Sequence, residues 1–315
     1  MPQNPRIVIA LGGNALGNTA AEQTKRIAQS APALVGLISQ GYEIVITHGN
    51  GPQVGAIQLA FAEGAAHNPK LSEMPLPECT AMSQGYIGFH LQNGLQRELR
   101  RQGMPWNVAT MVTQVVVDPH DPAFANPTKP IGPYYAEEQA RALMEAEPGA
   151  VYREDAGRGW RRMVPSPKPA DIVEKYSLLN LLDNEFVVIA CGGGGIPVLK
   201  HGSGQYESVP AVIDKDFAAA KLAELVEAEY LFILTAVERV CLDFGTPQQR
   251  EVANMTVAEA EEYCRQGQFA PGSMLPKVQA AMAFAQSKPG RRAVIAALEQ
   301  APLAIQGKAG TVITL

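Results

Sequence analysis

Three apolar segments, each followed by glycines, decide the fold: residues 6–14 are RIVIALGGN, residues 43–51 are EIVITHGNG, and residues 186–195 are FVVIACGGGG. Their apolar residues are continuous rather than alternating, which favours strands buried on both faces of a parallel sheet. Two further runs, at 230–235 and 293–297, have the same character. The sequence therefore predicts an α/β protein, with strands at 6–11, 43–47, 186–191, 230–235 and 293–297.

Helical segments separate these strands, and the sequence marks several of them. Residues 87–99 carry an apolar residue at every fourth position, which predicts a helix with one buried face. Thr256 and Glu259 have the spacing of a capping box at the start of another helix. Pro32 interrupts the apolar face of the helix after the first strand, so we expect that helix to kink or to begin later.

The composition is that of an ordinary globular protein. Of 315 residues, 46% are hydrophobic and 18% are charged, and the formal net charge is −5. This acidic balance argues against an extended nucleic-acid surface, and no apolar run approaches the length of a membrane helix. The N-terminal residues lack the apolar core of a secretory signal, and the four cysteines have no CxxC spacing. We therefore expect a cytoplasmic protein that binds neither nucleic acid nor membrane and has neither a zinc site nor a disulfide framework.

One region departs from the alternation of strands and helices. Residues 118–168 are rich in proline and turn residues, and compact domains rarely hold so long an insertion without a function. We interpret it as a small protruding lobe, called the lid below. The domain boundary is predicted near residue 184, which gives a first half over 1–184 and a second half over 185–315.

The glycines that follow the strands point to an anionic ligand. Glycine lets the backbone approach a ligand closely and turn N–H groups towards an anion, and such loops meet at the carboxyl edge of a parallel sheet. The sequence contains neither GxxxxGK[ST] nor GxGxxG in a dinucleotide-binding context. Three glycine clusters on three strands therefore favour phosphate or carboxylate binding by a site of another kind.

The cations for such a site must come from elsewhere in the chain. The candidates are Lys215 beside Asp216 in IDKD, Lys277 in SMLPK and Lys129 in PTKP. Asp216 is placed to cap a helix and to orient lysines. Taken one at a time, each also has a structural interpretation as a helix cap, a solvated charge or an ordinary helix residue. His48, between a strand and a glycine turn, is interpreted as structural.

Several segments taken together resemble the carbamate kinase family of the amino acid kinase fold, over almost the whole chain. The segments that carry the resemblance are ALGGNAL (10–16), THGNGPQVG (47–55), NPTKPIGP (126–133), GGGGIPV (192–198), AVIDKD (211–216) and GSMLPKV (272–278). The resemblance implies a three-layer αβα sandwich with a mainly parallel central sheet. It also implies that the lid is the family's protruding subdomain, which closes over the acceptor.

The resemblance implies a role for particular residues. Lys215 and Lys277 would flank the transferring phosphoryl group, Asp216 would hold both lysines, and Lys129 would reach carbamoyl phosphate from the lid. The acceptor and the moving phosphate would be bound by Gly12, Gly13, Asn14, Gly49, Asn50, Gly51, Gly193 and Gly194. The adenine nucleotide would lie in the second half, against Asp214, Thr235, Ala236, Val237, Gly272, Ser273 and Met274.

The implied reaction is ATP + carbamate ⇌ ADP + carbamoyl phosphate, run towards ATP in nitrogen catabolism. Its transition state is loose, so positioning and cations do most of the catalysis, and the anionic carbamate needs no general base. Mg²⁺ would bridge the nucleotide phosphates without a carboxylate cage of its own. The resemblance further implies a homodimer.

Two alternatives stay open at this point. One is a related kinase of the same fold that acts on another small acid, and the other is a catalytically weak, ligand-sensing homologue. The sequence also departs from the family at Leu275, where many members carry glycine. The expected effect of Leu275 is on base contacts, and hence on efficiency or nucleotide preference rather than on the reaction.

Overall fold

The central strands form where the sequence predicts them. The computed structural model of the chain describes residues 5–12, 16–17, 19–155 and 157–315. The strands are β1 Arg6–Leu11, β2 Glu43–His48, β3 Asn107–Thr110, β4 Gln114–Val117, β5 Lys129–Tyr135, β6 Val151–Glu154, β7 Trp160–Val164, β8 Pro169–Ile172, β9 Phe186–Ile189, β10 Ile196–Lys200, β11 Tyr206–Ser208, β12 Tyr230–Thr235, β13 Val240–Leu242, β14 Arg250–Val252, β15 Asn254–Thr256, β16 Arg292–Ala297 and β17 Thr311–Thr314.

Helices connect these strands and cover the sheet that they form. The α-helices are α1 Ala20–Ile38, α2 Gly51–His67, α3 Leu76–Arg101, α4 Glu137–Ala146, α5 Lys175–Asp183, α6 Lys215–Leu225, α7 Val257–Arg265, α8 Met274–Gln286 and α9 Ala301–Ala304. Short 3₁₀ turns lie at Pro122–Phe124, Gly192–Gly194 and Leu298–Gln300.

Eight strands form one central sheet. Their order is β15-β17-β16-β12-β1-β2-β9-β3, and the neighbouring pairs are parallel except for β16 with β17. The predicted strand at 186–191 ends early, at Ile189, because Cys191 takes a left-handed φ of 52° where the glycine turn begins. Because β9 lies between β2 and β3, the sheet is continuous across residue 184.

The side chains of β1 show how the two faces of this sheet are built. Ile7, Ile9 and Leu11 belong to a buried cluster shared with α1, α3 and α9. Val8 and Ala10 point the other way, into a cluster shared with α5, α6, α7 and α8. Successive residues of a strand face opposite sides, so one run of apolar residues supplies both layers. The predicted three-layer αβα architecture is confirmed.

The helix at 87–99 and the capping box at 256–259 are confirmed, and of the two alternatives for the first helix the later start is wrong. The apolar positions of 87–99 are fully buried on α3, and the Thr256 side chain accepts from the Glu259 N–H in the predicted capping box. The first helix neither begins after Pro32 nor ends at it, since α1 runs from Ala20 through Pro32 to Ile38. Burial of Leu34 and Ile38 beyond the proline compensates for the hydrogen bond that proline cannot make.

The lid carries a sheet of its own. Strands β5, β7 and β6 pair antiparallel in that order, separately from the central sheet. Its β5 lies against α2, where a Cβ added to Gly55 would be 2.4 Å from Gly132 Cα. The lid therefore packs on the first half of the molecule by direct backbone contact.

Candidate active site

The carboxyl ends of β1, β2 and β12 bring the glycine loops together. The N–H of Gly12 donates to the Leu234 carbonyl at 3.1 Å, and the N–H of Gly49 donates to the Leu11 carbonyl at 3.2 Å. These two N–H groups extend the hydrogen bonding of the sheet, so they do not point at a ligand as expected. Gly51 opens α2, whose first N–H groups have no partner within the helix. The predicted ligands Gly13 and Asn14 lie outside the described residues.

Asn50 joins the second glycine loop to the third. Its Nδ2 donates to Ser83 Oγ at 2.8 Å, and a Cβ added to Gly193 would lie 2.1 Å from that same nitrogen. A Cβ added to Gly194 would be equally close to the carbonyl oxygen of Ile213, the first residue of the IDKD segment. The 192–195 turn can therefore pack closely against the neighbouring loops because its glycines have no side chains.

His48 lies under this contact, fully buried. A Cβ added to Gly192 would be 2.4 Å from His48 Nε2, and its Nδ1 lies 3.1 Å from the Gly49 carbonyl oxygen. Burial lowers the pKa of His48 to about 4, although the hydrogen bond to Gly49 opposes the shift. The ring is therefore neutral at physiological pH, and its contacts are those of a packing residue.

Asp216 holds two lysines at the edge of the sheet. Its Oδ1 lies 2.5 Å from Lys215 Nζ and its Oδ2 lies 2.9 Å from Lys277 Nζ. Burial raises the pKa of Asp216, but the two ammonium groups outweigh it and the pKa lies below its usual value. Burial and the charge of Lys215 lower the pKa of Lys277, which Asp216 partly offsets. Helices α6 and α8 thus present two fixed cations on one carboxylate.

Asp214 connects this cluster to the lid. Its Oδ2 lies 2.6 Å from Lys129 Nζ at the start of β5, and its Oδ1 accepts from the Asp216 N–H at 2.9 Å. Asp214, not Asp216 as expected, therefore caps α6, because the helix begins at Lys215. Burial raises the pKa of Asp214, but the charges of Lys129 and Lys215 lower it to about 2.

A cavity of about 680 Å³ opens beside the two lysines of Asp216. Seven predicted site residues line it: Gly12, Lys215, Thr235, Ala236, Gly272, Ser273 and Lys277. The cavity is also lined by Glu299 and by four residues of α1, which are Arg26, Gln29, Ser30 and Ala33. Pockets of this size hold small ligands and cofactors.

The chain is similar to known proteins over nearly its whole length. A profile described as the amino acid kinase family matches residues 5–297. The chain belongs to the amino acid kinase family. A carbamate kinase of Enterococcus faecium is 52% identical over 297 residues, 93% of this chain and 94% of that protein. A carbamate kinase-like protein of Escherichia coli is 51% identical over 311 residues, 98% of each chain.

Solved structures of the family have the same fold. The carbamate kinase from Giardia lamblia bound to AMP-PNP has a TM-score of 0.91 at 43% identity, with 100% of this chain and 99% of that chain covered. The amino acid kinase fold predicted from the sequence is confirmed.

Some residues predicted to bind the nucleotide do not line the cavity. Asp214 instead pairs with the lid, and Val237 follows the lining residue Ala236 without being part of the lining. Met274 and Leu275 begin α8 and pack, partly buried, against the cluster on that face of the sheet. The side chain of Leu275 therefore contributes to the core, and its effect on base contacts stays a prediction.

Sequence reasoning missed Lys168. Its Nζ lies 2.8 Å from the centre of the ring of Phe217, the residue that follows Asp216. A lysine between two prolines has no periodic partner and no neighbouring charge, so only the folded chain shows where it points. In the described ranges, no group of three or more histidine, cysteine or acidic residues could hold a metal, and no helix there is long and apolar enough to span a bilayer.

Proposed function

We propose that this protein catalyses ATP + carbamate ⇌ ADP + carbamoyl phosphate. The observation that carries the proposal is the Asp216 carboxylate shared by Lys215 and Lys277 at the rim of the cavity. Near-full-length similarity to carbamate kinases supports the same phosphotransferase activity. The nucleotide would occupy the cavity, and the acceptor would lie between its rim and the lid.

The two lysines account for catalysis without a proton acceptor. In a loose phosphoryl-transfer transition state, negative charge spreads over the equatorial oxygens, and fixed cations stabilise it. Lys215 and Lys277 are already held by Asp216, so they need little rearrangement as the charge moves. Carbamate attacks as an anion, and the buried, neutral His48 is not needed as a base.

The lid contributes a lysine to the side of the site where the acceptor would be bound. Lys129 is the first residue of β5, and its ammonium group pairs with Asp214, the residue that caps α6. An incoming phosphate competes with Asp214 for this ammonium group, since charge-assisted hydrogen bonds to phosphate are among the strongest that lysine makes. Acceptor binding would thereby act on the same helix end that carries Lys215.

Mg²⁺ would arrive with the nucleotide as part of the substrate. The nearby carboxylates of Asp214 and Asp216 are both committed to lysines, so the phosphate oxygens and water would supply the metal's ligands. Omitting Mg²⁺ should abolish ATP formation without lowering the melting temperature of the ligand-free protein.

Coupled formation of ATP from ADP, Mg²⁺ and carbamoyl phosphate tests the activity. The wild type should make ATP rapidly, and Lys277→Ala should lower kcat by about a hundredfold or more because one transition-state cation is lost. Lys25→Ala is the matched control, since Lys25 is an exposed lysine on α1 and its loss should leave kcat unchanged.

Absence of ATP from folded wild-type protein that still binds nucleotide would refute the proposal. A screen of other small acids would then test for another acceptor of the fold, and a negative screen would favour a ligand-sensing role. A normal rate in Lys277→Ala would leave the activity standing and remove Lys277 from the mechanism.

We also propose a cytoplasmic homodimer that runs towards ATP in nitrogen catabolism. Met82 and Phe89 lie on one face of α3 with 40% and 58% of their surface exposed, and Val112 is 52% exposed. Exposed large apolar side chains on one face favour burial against a partner. Sedimentation equilibrium should give twice the chain mass for the wild type and a single chain for Phe89→Asp.

A further inference from the structure

Lys168 lies at the base of the lid, where the chain leaves it. Its backbone N–H donates to Asp121 Oδ2 at 2.8 Å, and Asp121 lies where the chain enters the lid. Four residues before Lys168, Val164 pairs with Lys129 across β7 and β5. Lys168 is thus fixed beside the strand that carries the lid's other lysine.

The ammonium group of Lys168 rests on an aromatic ring rather than on a carboxylate. It lies 2.8 Å from the centre of Phe217, and none of the described acidic groups comes within ion-pair distance of it. A cation–π contact stabilises an ammonium group less than a charge-assisted hydrogen bond to phosphate does. An anion can therefore recruit this ammonium without breaking an ion pair.

The carboxylates near Lys168 already have other partners. Asp214, which acts on Lys168, pairs with Lys129, and Asp216 pairs with Lys215 and Lys277. Asp121 faces Lys168 as well, but its carboxylate accepts two backbone N–H groups. Desolvation lowers the pKa of Lys168 to about 8, although Asp214 and Asp121 raise it, so the ammonium form still predominates at pH 7.

The position of Lys168 separates it from the nucleotide. Lys215 and Lys277 line the large cavity, whereas Lys129, Lys168 and Phe217 do not. Lys129 pairs with Asp214 and Lys168 lies on Phe217, so both reach the 214–217 segment from the lid, the element that would bind the acceptor.

We propose that Lys168 is an acceptor-binding residue. Its ammonium group moves away from the Phe217 ring and binds the phosphoryl group of carbamoyl phosphate. The inference rests on the proposed function and assigns a fourth lysine to that site. It predicts a loss confined to one substrate, because the nucleotide cavity lacks this side chain.

Steady-state kinetics of Lys168→Met tests the assignment, since methionine keeps the length and the apolar contact with Phe217 but removes the charge. KM for carbamoyl phosphate should rise about tenfold, the cost of one charged hydrogen bond, while KM for ADP stays unchanged. Lys168→Arg, which keeps the positive charge, should keep most of the wild-type affinity for carbamoyl phosphate. Lys70→Met, which removes an exposed loop lysine, should match the wild type.

Two results would overturn the inference. One is an unchanged KM for carbamoyl phosphate in folded Lys168→Met, and the other is an equal rise in both KM values, as a purely structural role of Lys168 predicts. Calorimetric titration with inorganic phosphate repeats the comparison without turnover. If the wild type makes no ATP, weaker phosphate binding by Lys168→Met would keep the inference while the proposed reaction falls, and equal binding would remove both.

Discussion

Asp216 is the residue on which the geometry of both lysines of the proposed mechanism depends. It is 2% exposed and paired through each of its oxygens, so Asp216→Asn leaves its size but removes the charge that the lysines share. We expect kcat to fall by about a hundredfold to a thousandfold, as for the loss of other preorganised groups. Asp171→Asn, which breaks the more exposed ion pair with Lys175, should leave kcat unchanged.

The same substitution gives a pH signature. The charge of Asp216 raises the pKa of Lys277 against burial and the charge of Lys215. Without it, Lys277 loses its proton at a lower pH, so the alkaline decline of kcat should move to lower pH in Asp216→Asn. A profile of kcat against pH in both proteins measures this, and a decline at the wild-type position would contradict the assigned role.

Gly193 should tolerate no side chain. Its φ is +68° and an added Cβ would lie 2.1 Å from Asn50 Nδ2, whereas Gly204 has a φ of +75° and nothing within 4 Å. Gly204→Ala should cost about 1 kcal/mol of unfolding free energy for the left-handed backbone. Gly193→Ala should cost about 1–3 kcal/mol more because the site is packed. Urea denaturation compares them, and equal losses would show that the turn can yield.

At the scale of elements, the contact of α2 with the lid strand β5 is the one most exposed to disruption. Gly55→Ala places a Cβ against the backbone of Gly132, three residues from Lys129. We expect β5 to shift and KM for carbamoyl phosphate to rise, with a loss of about 1–3 kcal/mol in unfolding free energy. Gly36→Ala on α1, which meets nothing within 4 Å, should instead stabilise by about 1 kcal/mol. A normal KM in Gly55→Ala would separate the lid's position from this contact.

Elements with a strong local signal were predictable from the sequence, and those defined by distant contacts were not. The strand at 6–11 is fully buried, so its apolar run had no competing interpretation. Helix α1 continues through Pro32 because its far end is buried against the sheet, which no local rule contains. Lys168 was invisible for the same reason, since the ring beneath it belongs to α6, 49 residues further along the chain.

The whole molecule should unfold as one cooperative unit despite the boundary predicted near residue 184. Strand β9 lies beyond that boundary but pairs with β2 and β3, which lie before it. Both buried clusters also combine strands from the two sides of the boundary. Scanning calorimetry should give a calorimetric enthalpy equal to the van't Hoff enthalpy. Two resolved transitions would show that the halves are stable separately.

His48 has a consequence for the conditions in which the protein can operate. Histidine is the side chain that ordinarily changes charge between pH 5 and 8, but this one lies within the packed loops and stays neutral down to about pH 4. Asp214, with a pKa of about 2, also keeps its charge throughout that interval. A fall in pH within that interval would therefore leave both charges as they are, so neither residue can act as an acid-sensitive switch in the packed loops.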